Sequence, residues 1–324
     1  MKSMLIALLA ALLPAAAIAQ TSTESTADIA PRTELHAIPT MTLSDSDFLA
    51  GKDGKAATVA GQLRLAQGAG KLPVVILMHG SGGMGAQIDT WSRQFNAMGV
   101  STFAIDGFTG RGLASVNTDQ AQLGRLNFIL DIYGALAILA KHPRVDPQRI
   151  VLMGFSRGGQ AALYASLTRF HKMWNKSGAS FAAYIPFYPD CATSYIDDTD
   201  VAAAPIRIFH GIADDYNPLS SCKAFMARLK SAGRDVELTE YADAQHGFDS
   251  PLGSVAVANG AQTVRACTIK EGPTGVLVNT ATGAPFAYTD ACVQLDPHVG
   301  RNAAAAAAAQ IAVGDFVRTL FKLN

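Results

Sequence analysis

The sequence predicts an α/β fold, with a mainly parallel central sheet and helices on both of its faces. Three observations carry that expectation. Strand-like and helix-like stretches alternate from about residue 58 onward, as in folds where each parallel strand is followed by a crossover helix. Several strands are unbroken apolar runs, residues 73–78 being the clearest, and a strand covered on both faces has no polar side to show. The chain of 324 residues is 49% hydrophobic and 16% charged, enough apolar mass for one large core.

At the N-terminus, Lys2 precedes the run L-I-A-L-L-A-A-L-L, and Pro14 and the small-residue site Ala17-Ile18-Ala19 follow before Gln20. The run is too short for a spanning helix. The pattern is that of a cleavable signal peptide over residues 1–19, so a periplasmic or secreted protein is expected. Cys191 is the first cysteine, so the cleavage point offers no thiol to a lipid anchor. Residues 20–57 are rich in Thr, Ser, Asp and Ala and show no clear period, which predicts an arm laid over the surface. The domain proper is expected over residues 58–324.

The formal net charge is zero and no basic stripe stands out. Nucleic acid or an anionic membrane would require a phosphate-neutralising surface, so neither partner is expected and a small molecule is.

The first strands are the alternating V-A-G-Q-L-R-L-A from Val59 and the apolar run 73–78, which ends in H-G-S-G-G, residues 79–83. Such a loop lets backbone N–H groups approach a ligand closely. It lacks the lysine and Ser/Thr of a phosphate loop, and the acidic cluster Asp197, Asp198 and Asp200 lacks the ligand pattern of a calcium loop, so neither cofactor nor metal is expected. Residues 87–98 read as a helix stopped by Gly99, and 100–105 as a strand followed by D-G-F-T-G-R-G, residues 106–112. Helical spacing then runs over 117–140 and, after the next strand, over 160–174. Residues 181–187, 206–210 and 236–241 are strands, 221–232 a helix, and a last helix follows from Ala303.

One strand, residues 150–153, runs without a break into G-F-S-R-G-G and a helix. The glycines around Ser156 let strand and helix meet at a sharp turn that lifts the hydroxyl clear of both, which marks Ser156 as a nucleophile. Two more groups follow later strands at their carboxyl ends, where α/β sheets bind ligands: Asp214 in H-G-I-A-D-D and His246 in A-Q-H-G-F. The order Ser, Asp, His is that of the α/β-hydrolase arrangement. A serine hydroxyl needs a base to take its proton, and the base needs a carboxylate to orient it and stabilise its cation. Backbone N–H groups of Arg157 and Ser81 are the expected oxyanion donors. Asp215 rivals Asp214, and His298 rivals His246. His79 and His210 sit at strand ends before glycine, where a buried, hydrogen-bonded histidine is ordinary. Arg111 has two readings: it reaches the cleft mouth to bind substrate, or it ties down its own loop.

Together H-G-S-G-G, G-F-S-R-G-G, H-G-I-A-D-D and the H-G-F after the last strand resemble the dienelactone hydrolase family of α/β-hydrolases, over about residues 58–249 and again in the C-terminal helix. The resemblance implies Ser156 as nucleophile, Asp214 as acid and His246 as base. The type enzymes of that family carry a cysteine nucleophile, a glutamate near the first strand-end loop and arginines for a substrate carboxylate, one of them shortly after the catalytic histidine. Here the nucleophile is serine, Leu77, Met78 and His79 leave no glutamate before Gly80, and Phe248, Asp249 and Ser250 offer no arginine. An exported serine hydrolase of carboxylic esters is therefore expected. Lactonase, dienelactone hydrolase-like or peptidase activity, and a non-catalytic binding protein on the same fold, are the alternatives.

Four cysteines in an exported chain imply two disulfides with three possible connectivities. The favoured pairs are Cys191 with Cys222, which leave loops after consecutive strands, and Cys267 with Cys292, which bracket a hairpin over 276–288 turning at 280–283. Each would add roughly 3–4 kcal/mol in the chain-entropy model. The hairpin belongs to an insertion, about residues 250–296, expected as a lid or rim beside His246 or as a structural flap.

Overall fold

The computed structural model describes residues 30–323; the expected signal peptide, residues 1–19, lies outside the described residues. In chain order the first elements are β1 (Arg32–Thr42), α1 (Asp45–Leu49), β2 (Lys55–Leu65), β3 (Leu72–Met78), α2 (Ala86–Ala97), β4 (Ser101–Asp106), α3 (Asn127–Leu139), β5 (Val145–Phe155), α4 (Arg157–Tyr164), α5 (Thr168–Trp174) and β6 (Ala183–Phe187). Then come β7 (Thr193–Ser194), β8 (Ile206–Gly211), α6 (Leu219–Ser231), β9 (Val236–Tyr241), β10 (Ala256–Val257), β11 (Ile269–Glu271), β12 (Leu277–Asn279), β13 (His298–Val299) and α7 (Ala303–Phe321).

Eight strands form one sheet in the order β1-β2-β4-β3-β5-β6-β8-β9. The strands from β4 to β9 in that order pair in parallel, while β1 and β2 join antiparallel. Because successive side chains point to opposite faces, the apolar runs serve two cores. Val74, Ile76, Met78, Ile150 and Leu152 face a core shared with α3, α4, α5 and α6. Val75, Leu77, Val151 and Met153 face a second core made with Trp91 and Phe95 of α2 and Val313, Val317 and Phe321 of α7. The expected α/β architecture is thus the observed one.

The stretch expected as a surface arm is different. Residues 32–42 are a full edge strand, paired residue for residue with β2 from Arg32 opposite Leu65 to Thr42 opposite Lys55. An edge strand exposes one margin and much of one face, so it carries few apolar residues; Ile38 is its one fully buried side chain, and Pro39 is tolerated there. The two long helical stretches are shorter than expected. Helix α3 begins only at Asn127: residues 120–122 form a separate 3₁₀ turn, and a Cβ on Gly124 would lie 2.7 Å from the Leu43 carbonyl oxygen. The stretch 160–174 splits where Leu167 forms a bridge with Val201.

Both favoured disulfides are present, Cys191–Cys222 and Cys267–Cys292. In the insertion β11 and β12 pair antiparallel, and β11 also pairs in parallel with β7, which fastens the insertion to the loop after β6. The expected hairpin closes beyond β12, where the Asn279 N–H donates to Ala284 and the Phe286 N–H to Leu277.

Candidate active site

Ser156 stands between β5 and α4 with φ 56° and ψ −115°, a backbone conformation sparsely populated by side-chain-bearing residues. The turn is tight enough to require its glycines. A Cβ on Gly154 would lie 2.1 Å from the Gly158 carbonyl oxygen, and one on Gly158 would lie 2.2 Å from the Met78 carbonyl oxygen. Two backbone bonds hold the strained residue, Ser156 N–H to the Phe187 carbonyl at 3.0 Å and Gln160 N–H to the Ser156 carbonyl at 2.7 Å.

The loops after β8 and β9 bring the two other expected groups to it. His246 Nε2 lies 2.8 Å from Ser156 Oγ, and His246 Nδ1 lies 2.9 Å from Asp214 Oδ2. The other Asp214 oxygen accepts the Tyr216 and Asn217 N–H groups, each at 2.9 Å, so the carboxylate cannot swing away. The rival residues form a pair of their own: His298 Nδ1 is 2.9 Å from Asp215 Oδ2, and Arg265 also donates to Asp215. That chain does not include Ser156. The His246 loop is held from behind by residues before α7, with Gly300 N–H donating to the His246 carbonyl at 2.9 Å and Asn302 N–H to the Phe248 carbonyl at 3.0 Å.

The glycine-rich loop after β3 lies against the nucleophile, a Cβ on Gly80 falling 3.1 Å from Ser156 Cβ. Among the described residues the backbone N–H groups of Ser81 and Arg157 donate to no protein acceptor, which leaves both free for an oxyanion. His79 fixes this loop to the next one. Its Nε2 accepts the Gly107 N–H at 3.1 Å, so Nδ1 carries the proton donated to the Gly80 carbonyl at 2.7 Å. Burial holds its imidazole at about 4, well below the ordinary 6.5.

Arg111 does not reach the cleft, and the substrate-binding reading is corrected. Its guanidinium is buried and spends five donors on the protein: two on Asp131, and one each on Thr42 Oγ1, the Met41 carbonyl and the Gly107 carbonyl. No donor is left for a ligand.

Three residues that shape the site escape the sequence reading. Tyr188 and Tyr216 both pack against His246, with ring centroids 4.6 Å and 4.5 Å away. Asp249 is buried and accepts from Trp91 Nε1 and the Tyr188 hydroxyl at 2.7 Å and from Gln87 Nε2 at 2.5 Å; burial pushes its carboxyl up. Tyr188 directly follows β6, and the same strand-end rule that located Ser156 would have found it. Glu34, His36 and His142 approach within 4.8 Å of one another on the far edge of the sheet. His142 Nδ1 accepts the Arg144 N–H, so its Nε2 carries the proton and presents no lone pair to a metal there.

Ser156 and His246 open onto a cleft of about 370 Å³ rimmed by Gly82, Gly247, Pro251, Leu252 and Ala258. Pro251, Leu252 and Ala258 of the insertion thus line this cleft beside His246.

The architecture has counterparts among known proteins. A provisionally named carboxymethylenebutenolidase of Synechocystis sp. is 26% identical over 204 residues, covering 59% of this chain and 81% of that protein. A solved structure designated m3DLH superposes with a TM-score of 0.58 at 19% identity, covering 89% of this chain and 98% of its own. A dienelactone hydrolase-like promiscuous phosphotriesterase from metagenomic libraries gives a TM-score of 0.55 at 16% identity, covering 88% and 98%. These two likenesses show the fold. The model of the dienelactone hydrolase family matches residues 59–270. Since that match spans more than half of the chain, this α/β-hydrolase-fold protein belongs to the dienelactone hydrolase family.

Proposed function

We propose that this protein is an exported serine esterase that hydrolyses carboxylic esters of small molecules through Ser156, His246 and Asp214. The observation that carries the reading is the unbroken hydrogen-bonded chain from Ser156 Oγ to Asp214, set beside two backbone donors that have no protein acceptor among the described residues. His246 takes the Ser156 proton as Oγ attacks the ester carbonyl, and Asp214 holds the imidazole in the tautomer that can accept it. The Ser81 and Arg157 N–H groups stabilise the oxyanion, each typically worth roughly 3–4 kcal/mol of barrier. Collapse expels the alcohol with the proton from His246, and water repeats the sequence to release the acid. Tyr216 and Tyr188, packed on the imidazole, restrict its orientation.

An organophosphonate probe followed by peptide mapping tests the assignment. Labelling is expected on Ser156 alone, and Ser156→Ala should abolish both labelling and p-nitrophenyl ester hydrolysis while leaving the fold intact. Labelling of a different residue in active protein rejects the reading.

A further inference from the structure

Ser156 borders two spaces of unlike size. One is the open cleft that His246 also lines. The other is a recess of about 30 Å³ that His246 does not line, walled by Gln120, Arg157, Gln160, Val264 and Tyr288. Ser81 lines both. Building on the esterase reading, we propose that the recess takes the acyl part of the ester and the cleft its alcohol part, so the substrates are short-acyl esters, two or three carbons long, of larger alcohols.

The direction follows from proton transfer. The departing alkoxide must lie within hydrogen-bond reach of His246 Nε2 to be protonated, and His246 faces the cleft. The alcohol therefore leaves through the cleft. In the acyl-enzyme the carbonyl carbon is bonded to Ser156 Oγ, and its oxygen lies at the Ser81 and Arg157 N–H groups. Its remaining substituent is left with the space those two residues line together, which is the recess.

The size follows from the walls. A water-sized group needs at least about 10–15 Å³ by this measure, so the recess holds about two. That is the one or two carbons beyond the carbonyl in an acetyl or propionyl group. A hexanoyl chain would have to displace a wall that is tied in place: Thr263 Oγ1 donates to the Tyr216 carbonyl at 2.5 Å, and the Gln120 N–H donates to Gln262 Oε1 at 2.8 Å. Just beyond Val264, the Cys267–Cys292 disulfide closes the insertion, with Cys267 N–H bonded to the Val264 carbonyl at 2.8 Å. The wall is also polar. Among the described residues Arg125, Arg157 and Gln160 each hold a buried N–H without a protein partner, a lining that a long alkyl chain would shield from water at a greater cost than a one- or two-carbon group would. The insertion thus acts as cleft rim at one end and acyl-pocket wall at the other.

Two isomeric esters separate acyl from alcohol at equal mass: benzyl acetate places the ring in the alcohol, methyl phenylacetate places it in the acid. The expected kcat/KM ratio favours benzyl acetate by about 100-fold or more, a steric discrimination of ordinary size for a fitted pocket. Equal values, or a preference for methyl phenylacetate, overturn the assignment while leaving a serine esterase in place. If neither isomer nor p-nitrophenyl acetate is hydrolysed by folded protein, the esterase reading falls and this one with it. Widening the recess gives an independent check: Val264→Ala should raise the p-nitrophenyl butyrate to acetate ratio of kcat/KM by about tenfold. An unchanged ratio in a folded variant also overturns the assignment. If the variant does not fold, the isomer pair on the native protein decides.

Discussion

Asp214 and Asp215 are neighbours in the chain with separate partners. Asp214 is locked by two backbone N–H groups and faces His246, whereas Asp215 faces His298 and Arg265 at the rim. Asp214→Asn should lower kcat by about 10⁴, the loss seen when a triad carboxylate is neutralised. Asp215→Asn should leave kcat within roughly tenfold, since it touches none of the reacting atoms. Steady-state kinetics on the two variants check this, and a reversed order of effects rejects the assignment. His79 supports a prediction about pH. Its unfolded imidazole protonates near 6.5 and its folded one near 4, so between those values the unfolded state binds more protons. Stability then rises with pH across that window and is lost as pH falls through it, by about 3 kcal/mol in all. Urea denaturation at pH 7.5 and 4.5 should show a drop about that much larger in the native protein than in His79→Asn. Equal drops would assign the acid sensitivity to other groups.

At the scale of elements, Arg111 joins three pieces of the fold. Its guanidinium links the end of β1, through Thr42 and Met41, to Asp131 of α3 and to the loop after β4. Burial pushes the Asp131 carboxyl up, and the Arg111 charge opposes that. Arg111→Ala should destabilise the protein by roughly 3–5 kcal/mol, because it leaves a buried carboxyl without its charged partner, with only the Thr40 hydroxyl still donating to it. Acidic and neutral esters should be affected alike. A rise in KM confined to acidic esters, with the melting temperature unchanged, would restore the substrate-binding role. The strand β1 itself was illegible in sequence for a physical reason: its register comes from β2, and only Ile38 needs a core position. The strands β3 and β5 were legible because burial on both faces leaves an unmistakable apolar run.

For the whole molecule, the two disulfides and the leader pattern of residues 1–19 bear on one another. Both bridges require an oxidising compartment to form and persist. We propose that the chain is exported: it should then begin at Gln20, read by N-terminal sequencing, and show no thiol reactive to alkylation when denatured without reductant. Four alkylated cysteines would reject export and disulfides together. Reduction should reach beyond stability, since the Cys267–Cys292 bridge braces the segment that walls the recess beside Ser156.

Sequence by itself determined the features that local chemistry dictates. The glycine-flanked turn at Ser156, the strand-end positions of Asp214 and His246 and the apolar period of the buried strands are all set by residues within a few positions of one another. Where the choice depended on a partner distant in the chain, only the tertiary structure decided. Asp214 rather than Asp215 meets His246 because the backbone after β8 turns one carboxylate inward, and adjacent residues carry no sequence mark of that turn. Arg111 spends its donors on residues up to 70 positions away. The size of the recess is set by packing the insertion against Gln120 and Tyr216, contacts 142 and 47 residues apart in the chain. Such distances leave no periodicity to read, because the free energy that fixes them comes from contacts that exist only once the chain has folded.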